Sequence, residues 1–145
     1  MQPERTAGQA GFTLLEVLVV MMIIGLLAAF VAPSVFHRLD ESRRVAAQNQ
    51  IAIFGTALEN YRLDVGQFPT TEQGLPALLE PPSVPPAAEH WNGPYLEKKV
   101  PLDPWGHAYV YRCPGDHNPR SYDLYSYGKD GREGGTGPDA DVVNW

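Results

Sequence analysis

The residues of this sequence that could bind a ligand or a metal ion gather near its C-terminal end. Glycines and prolines are frequent in residues 126–145, and the same stretch carries four carboxylates: Asp130, Glu133, Asp139 and Asp141. Paired carboxylates could act in hydrolysis, but a glycine-rich loop lacks the rigid frame that catalysis needs. The same oxygens could hold calcium, which takes about 6–8 oxygen ligands in proteins. A flexible acidic stretch otherwise remains solvated, so the residues alone leave a calcium site and a solvated loop both open.

Another carboxylate, Glu16, lies at the start of a long apolar segment. Residues 12–36 are almost entirely apolar, and residues 17–32 contain no polar side chain. About 20 helical residues span the ~30 Å core of a bilayer, so the segment is long enough to cross a membrane. A carboxylate inside such a helix costs roughly 2.5–3.5 kcal/mol on insertion and usually has a function. The alternative for Glu16 is a carboxylate that simply lies at the membrane interface. The alternative for the whole segment is a cleaved secretory signal, but the apolar segment is too long for one.

Composition excludes several other classes of function. The chain has 145 residues, a formal net charge of −6 and only 11 lysines and arginines. Nucleic-acid binding requires clustered positive charge, so no nucleic-acid partner is expected. The single cysteine, Cys113, cannot form an intramolecular disulfide, and the four histidines are too scattered to form a zinc site with it. The feature that remains to be explained is the crowding of apolar residues at one end of the chain.

The apolar segment continues into an amphipathic segment, residues 37–65. Apolar side chains recur there at spacings of three and four, the pattern of one helix face: Ala47, Ile51, Phe54, Leu58, Tyr61 and Val65. Gly66 and Pro69 predict the end of the helix. We therefore expect one helix of about fifty residues, whose second half packs on a small domain. The first half of this helix could loosen or bend between Gly25 and Pro33.

Residues 66–145 predict short strands and turns rather than further long helices. A short helix is expected within residues 71–80. Alternating residues predict strands over 107–111 and 122–126, joined by a hairpin through residues 114–119. The expected fold class is therefore α+β, with a long N-terminal helix packed on a small antiparallel β-sheet and the acidic loop at the C-terminal end.

The segment GFTLLE of residues 11–16, which follows a short polar leader, resembles the class III signal of type IV pilins and pseudopilins. The resemblance implies that a prepilin peptidase cleaves between Gly11 and Phe12, removes residues 1–11 and methylates Phe12 to N-methylphenylalanine. It also implies that Glu16 acts in assembly, by pairing with the N-terminal amine of a neighbouring subunit. Residues 12–36 would then form a transmembrane and assembly helix, part of which unwinds in a filament.

Motifs further along the chain resemble those of the major pseudopilins of type II secretion systems, the G-type subunits of the pilin-like superfamily. These motifs are PTTEQGLPALL, the DPWG of residues 103–106, YDLYSYGKDGREGGTG and the terminal NW. The resemblance implies a pilin-like fold and a structural subunit, not an enzyme, in which Trp105 fills the core. Such a subunit polymerises with itself into a periplasmic pseudopilus, which helps drive folded proteins across the outer membrane. A type IV pilin or a DNA-uptake pseudopilin is the alternative, although the lone Cys113 excludes the disulfide that usually closes the pilin loop.

The same resemblance implies partners and a location. The implied partners are further copies of the chain, minor pseudopilins, the prepilin peptidase and the inner-membrane assembly platform of the secretion system. The chain would cross the bacterial inner membrane once, with residues 66–145 in the periplasm. The positive-inside rule does not give this orientation, because the leader offers only Arg5 whereas several arginines follow the apolar segment.

One structural calcium ion in the loop of residues 127–141 is also implied by the resemblance. The implied ligands are the side chains of Asp130, Thr136 and either Asp139 or Asp141, with the backbone carbonyls of Tyr127 and Arg132. The choice between Asp139 and Asp141 stays open, because loop lengths vary in the family. The sequence departs from the usual pattern at Tyr127, where an aliphatic residue is common, and at residues 142–143, where Ile-Gly is common.

Overall fold

One long helix dominates the N-terminal half of the protein. The computed structural model describes residues 11–145, so the predicted leader, residues 1–11, lies outside the described residues apart from its last position. The helix, α1 (Leu14–Val65), is 52 residues long. It stays helical through Gly25 and Pro33. The predicted helix of about fifty residues is therefore confirmed.

Contacts within the chain divide it into two units, one that ends at Arg38 and one that comprises Leu39–Trp145. In the second unit the helix buries one face: Ala47, Ile51, Phe54, Ala57, Leu58 and Tyr61. Val65 is half-buried against the same core. Other segments complete the core with Leu75, Ala77, Leu78, Tyr109, Tyr111, Tyr122, Leu124 and Val142. The predicted apolar stripe is thus the face that packs on the domain.

A three-stranded antiparallel sheet forms the other side of this core. Its strands are β1 (Val110–Arg112), β2 (Asp123–Ser126) and β3 (Val142–Val143), with β2 in the centre. Tyr111 pairs with Leu124 across β1 and β2, and Ser126 pairs with Val142 across β2 and β3. The antiparallel sheet was expected, but β3 was not predicted. It returns the end of the chain to the sheet and so fixes both ends of the acidic loop.

The predicted strand over residues 107–111 begins only at Val110. The backbone before it is held in a turn, because His107 N donates to Asp103 Oδ1 at 2.8 Å and Asp103 N donates to the His107 carbonyl at 2.8 Å. These groups are therefore unavailable to a neighbouring strand.

The predicted helix over residues 71–80 is reduced to a single 3-10 turn, Leu75–Leu78. Gly74, which precedes it, has a left-handed φ of 59°, and Pro76 has no backbone N–H to donate. Trp105, expected in the core, is half-buried and packs against the core from outside.

Candidate functional sites

The first candidate site is the start of α1, where residues 11–13 precede the helix. Thr13 Oγ1 accepts a hydrogen bond from Glu16 N at 3.2 Å, and Glu16 Oε2 accepts one from Thr13 N at 2.8 Å. The Thr13 hydroxyl also donates to Glu16 Oε2 at 3.0 Å. This reciprocal pair is a capping box, which satisfies backbone N–H groups at the helix start. The Thr-x-x-Glu spacing of residues 13–16 is the sequence signal of this cap. The capping role of Thr13 was not predicted from the sequence.

The first half of α1 presents an apolar surface. Large apolar side chains of this half are exposed, among them Ile24 and Phe30, and Phe12, just before the helix, is exposed as well. Within the described residues, one helix, α1, is long and apolar enough to cross a membrane. Exposed apolar patches larger than a few hundred Å² mark sites of membrane or protein interaction. The first half of α1 is therefore the candidate surface for insertion and assembly, and Glu16 lies at its beginning.

The second candidate site is the loop of residues 127–141, which we call the closing loop. Two of its predicted metal ligands make hydrogen bonds within the loop. Asp130 Oδ1 accepts from Arg132 N at 3.1 Å, and Asp141 Oδ2 accepts from Gly134 N at 2.9 Å. The second carboxylate oxygen of Asp141, Oδ1, is buried and has no hydrogen-bond partner. A buried carboxylate oxygen without a partner is costly, because it loses its hydration.

The other predicted ligands lie on the outside of the closing loop or face the sheet. Thr136 and Asp139 are exposed and belong to a 3-10 turn, in which Asp139 N donates to the Thr136 carbonyl at 3.2 Å. The Arg132 side chain is exposed. The Tyr127 ring packs edge-on against Tyr125. Tyr127 and Asp141 line one polar cavity, whereas Asp130 and Asp139 are not among its lining residues.

The closing loop fits a calcium ion in its chemistry. All of its predicted donors are oxygens, the ligands that calcium takes, and the unpartnered Asp141 Oδ1 is a buried oxygen that a cation would satisfy. Across residues 11–145, no group of three or more His, Cys, Asp or Glu side chains is close enough to hold a metal. A site here would therefore depend on backbone and hydroxyl oxygens as well as carboxylates, and the geometry favours Asp141 over the exposed Asp139.

A buried carboxylate that sequence reasoning placed simply on a strand, Asp123, organises the turn before β2. Asp123 Oδ2 accepts from His117 N at 2.8 Å, and Asp123 Oδ1 accepts from Asn118 N at 3.0 Å. The Asn118 side-chain amide donates to the same Oδ1 at 3.1 Å. Burial alone raises the pKa of Asp123, but these hydrogen bonds outweigh it and hold the pKa below its usual range. Its role here is structural, since all of these partners belong to one turn.

Two known families match the two parts of the chain that the geometry distinguishes. Residues 6–32 match the prokaryotic N-terminal methylation motif, and residues 34–145 match the family described as Type II secretion system (T2SS), protein G. The chain belongs to the type II secretion system protein G family. The second match covers the folded domain and the closing loop, and the first covers the capping box and most of the apolar helix.

Members of the protein G family from several bacteria are similar to this chain over almost its whole length. It is 46% identical over 137 residues to the type II secretion system core protein G of Pseudomonas aeruginosa, which covers 94% of this chain and 95% of that one. It is 43% identical to the core protein G of Vibrio cholerae, covering 94% and 92%, and 42% identical to that of Escherichia coli K12, covering 97% and 93%.

The fold is also similar to that of a solved family member. The crystal structure of the major pseudopilin from the type 2 secretion system of enterohaemorrhagic Escherichia coli matches with a TM-score of 0.64 and 33% identity. The match covers 74% of this chain and 90% of that one. The pilin-like fold is therefore confirmed, and the chain is a structural pseudopilin of a type II secretion system rather than an enzyme.

Proposed function

We propose that this pseudopilin polymerises with itself into the body of a periplasmic pseudopilus, which helps drive folded proteins across the outer membrane. The observation that supports this proposal most directly is the exposed apolar surface of the first half of α1, in a helix whose second half buries one face in the folded domain. An exposed apolar helix of this length needs lipid or other subunits to cover it. Its proposed partners are therefore the inner membrane before assembly and other copies of the chain afterwards, together with minor pseudopilins and the assembly platform.

Processing by a prepilin peptidase is the first step of this function. The proposed cleavage lies between Gly11 and Phe12, followed by N-methylation of Phe12. The N-terminal methylation motif in residues 6–32 supports this step. The intact mass of the mature protein from cells tests it. We expect a loss of residues 1–11 and a gain of one methyl group, and an intact N-terminus would overturn the proposal.

Glu16 is proposed as the assembly residue. Cleavage would create a positively charged amine at Phe12, and Glu16 offers the opposite charge near the same end of the helix. Opposite charges in a medium of low dielectric attract strongly, and each alone is costly there. The Glu16 carboxylate of one subunit would therefore pair with the N-terminal amine of its neighbour and set the register of the filament.

The Glu16→Ala variant tests this pairing. We expect it to be processed and inserted in the membrane but to form no filaments visible by electron microscopy. The matched control is Glu41→Ala, which removes an exposed carboxylate from the second half of the same helix and should leave filaments unchanged. Normal filaments from Glu16→Ala would contradict the pairing, while a loss of processing would place Glu16 in peptidase recognition instead.

We also propose that the closing loop holds one structural calcium ion. Asp130, Thr136 and Asp141 would supply side-chain oxygens, with the carbonyls of Tyr127 and Arg132, and Asp139 is the alternative to Asp141. The bound cation would neutralise the acidic loop and satisfy Asp141 Oδ1, which is buried without a partner. It would thus close the loop in a chain whose single cysteine cannot form a disulfide.

Thermal unfolding of the full chain in mild detergent tests the calcium site. We expect a calcium chelator to lower the melting temperature and added calcium to restore it. The Asp141→Asn variant should lose most of this response and Asp139→Asn should keep it, whereas Glu72→Gln, an exposed control outside the loop, should respond like the natural chain. Indifference of the natural chain to both reagents would remove the site, and the reverse order of the two Asp variants would assign the ligand to Asp139.

The proposed topology is a single crossing of the inner membrane with the folded domain in the periplasm. It is supported by the apolar helix and by the family, whose members are named as type II secretion proteins. Fusing a reporter that is active only in the periplasm to the C-terminal end tests it. An active reporter is expected. An inactive reporter on a stably expressed fusion would contradict the proposed orientation and place the domain on the cytoplasmic side.

A further inference from the structure

A buried carboxylate, Asp103, lies at the base of the closing loop without belonging to it. Asp103 is 4% exposed. Its Oδ1 accepts from Trp105 N at 3.0 Å and from His107 N at 2.8 Å, and its Oδ2 accepts a short hydrogen bond from the Ser126 hydroxyl. A buried carboxylate is stabilised only when hydrogen bonds replace its hydration. Asp103 is satisfied in this way by its own turn and by the last residue of β2.

Ser126 carries this arrangement into the closing loop. The Ser126 side chain is fully buried. While its hydroxyl donates to Asp103, its oxygen accepts from Gly128 N at 3.0 Å. The Ser126 hydroxyl is thus the only group between the buried carboxylate and the Gly128 amide in this chain of hydrogen bonds. Because hydrogen bonds in a series polarise one another, the Asp103 charge strengthens the hold on Gly128.

His107 makes a second connection to the same part of the loop. Its Nδ1 lies 3.2 Å from the Gly128 carbonyl oxygen, and since a carbonyl can only accept, Nδ1 carries the proton in this contact. The His107 ring also lies against Gly131, where an added Cβ would approach the ring to 3.0 Å. Gly131 has a φ of +66°, in the left-handed region that favours glycine. The absence of a side chain at Gly131 therefore lets the loop backbone approach the His107 ring closely.

We infer that Asp103 is a positioning residue that, through Ser126 and His107, fixes residues 127–131 for binding of the cation by the closing loop. This segment carries the Tyr127 carbonyl and Asp130, two of the proposed ligands. A segment that is already held in place loses less conformational freedom when the ion binds, so the affinity of the loop for the ion is higher. The inference rests on the proposed calcium site, and it assigns the DPWG turn a function in metal affinity beyond packing.

Calcium titration of the full chain in mild detergent, by calorimetry, tests this inference together with the melting temperature of the calcium-free protein. The Ser126→Ala variant removes the hydroxyl that connects Asp103 to Gly128. We expect it to raise the calcium Kd about tenfold, which corresponds to ~1.4 kcal/mol. The His107→Phe variant keeps a ring against Gly131 but removes the Nδ1 hydrogen bond, and we expect a smaller increase of Kd in the same direction.

The control is Gln73→Met, which removes a buried network of similar size outside the closing loop. Gln73 is buried, and its amide nitrogen donates to the carbonyls of Val84 and Pro86 at 2.7 and 2.8 Å. We expect this variant to melt at a lower temperature without calcium but to keep the natural Kd. If Ser126→Ala and His107→Phe also lower the melting temperature but keep the natural Kd, the hydrogen bonds through Ser126 and His107 are structural only and the inference is wrong. If the natural chain binds no calcium, the proposed site itself fails first, which is a distinguishable result.

Discussion

The two halves of α1 on either side of Arg38 are both rich in apolar residues, yet they differ in what covers them. In residues 39–65 one apolar face is buried in the domain, and on it Phe54 is fully buried and packs edge-on against Tyr109. In residues 14–38 they occur all round the helix, and Phe30 is 75% exposed. Composition already separates these halves, because residues 17–32 carry no polar side chain, and periodicity then shows which face of the second half is buried.

The two halves of α1 therefore depend on different surroundings for their stability. The second half is stabilised by its own sheet, through area removed from water within the chain. The first half contributes little to the folding of the domain, and its apolar surface is available for lipid or for other subunits. Substitutions of the same type should therefore have different consequences in the two halves, and paired variants can test this.

The largest effect is expected from truncating a phenylalanine in each half. Phe54→Ala should lower the free energy of unfolding of the domain by about 3–5 kcal/mol, because it leaves a cavity in the core. Phe30→Ala should change it by less than about 0.5 kcal/mol, as surface substitutions do. Denaturant unfolding of the full chain in mild detergent measures both values. Equal losses would show that the first half also belongs to the folded core.

A charged substitution at matched positions should instead have the larger effect in the first half of α1. Ile24 and Ile53 are 55% and 53% exposed, so the two isoleucines differ in their half of the helix and not in their exposure. Ile24→Lys should oppose membrane insertion by roughly 2.5–3.5 kcal/mol, the cost of a charge at the centre of a spanning helix. Ile53→Lys should leave insertion unchanged. Carbonate extraction of membranes, which separates integral from peripheral protein, measures the difference, and equal extraction of both variants would contradict the membrane assignment.

A smaller difference is expected between two arginines. Arg44, in the second half, donates to the Ala140 carbonyl at 2.8 Å and so connects the helix to the closing loop. Arg44→Gln should cost about 1.5–3 kcal/mol of unfolding free energy, the range for a hydrogen bond with a charged partner. Arg38→Gln, in the first unit, should leave that free energy unchanged. If both variants unfold like the natural chain, the connection between helix and loop does not stabilise the domain.

The smallest effect concerns pH and should separate the domain from its anchor. The folded state holds the pKa of Asp123 below its usual range, so the stability that its ionised form provides is present above the unfolded pKa of about 3.9. That stability is lost as the pH falls from there through the lower folded pKa. Melting temperatures measured below about pH 5 should therefore fall less steeply in Asp123→Asn than in the natural chain. Membrane association should not change with pH, and parallel slopes for the two proteins would show that Asp123 does not govern the acid response.

Features that depend on neighbouring residues could be predicted from the sequence. The length of α1, its buried stripe and its exposed apolar half follow from local spacing, and the GFTLLE segment indicated the family. The strand β3 could not be predicted, because two valines form a strand only by pairing with Tyr125 and Ser126. Long-range pairing of this kind is not visible in a short segment.

In the closing loop, too, some features could be predicted from neighbouring residues and others only from the folded chain. Its residues alone left a calcium site and a solvated loop both open, and the resemblance left the choice between Asp139 and Asp141 open. Burial distinguishes these two carboxylates, and burial is a property of the folded chain. Asp103 was noticed only as part of a family motif. Its hydrogen bond to Ser126 joins residues that are distant in sequence, so no spacing rule could have found it.

The capping box at the start of α1 has a consequence for the proposed cleavage. Its two members, Thr13 and Glu16, both lie after the proposed cleavage point, so removal of the leader would leave every hydrogen bond of the cap in place. The bond to be cut, between Gly11 and Phe12, lies in non-helical backbone just outside the cap. Cleavage at this bond would therefore not require any turn of α1 to unwind. The cap thus marks the point at which α1 begins, and the proposed cleavage would leave this 52-residue helix whole.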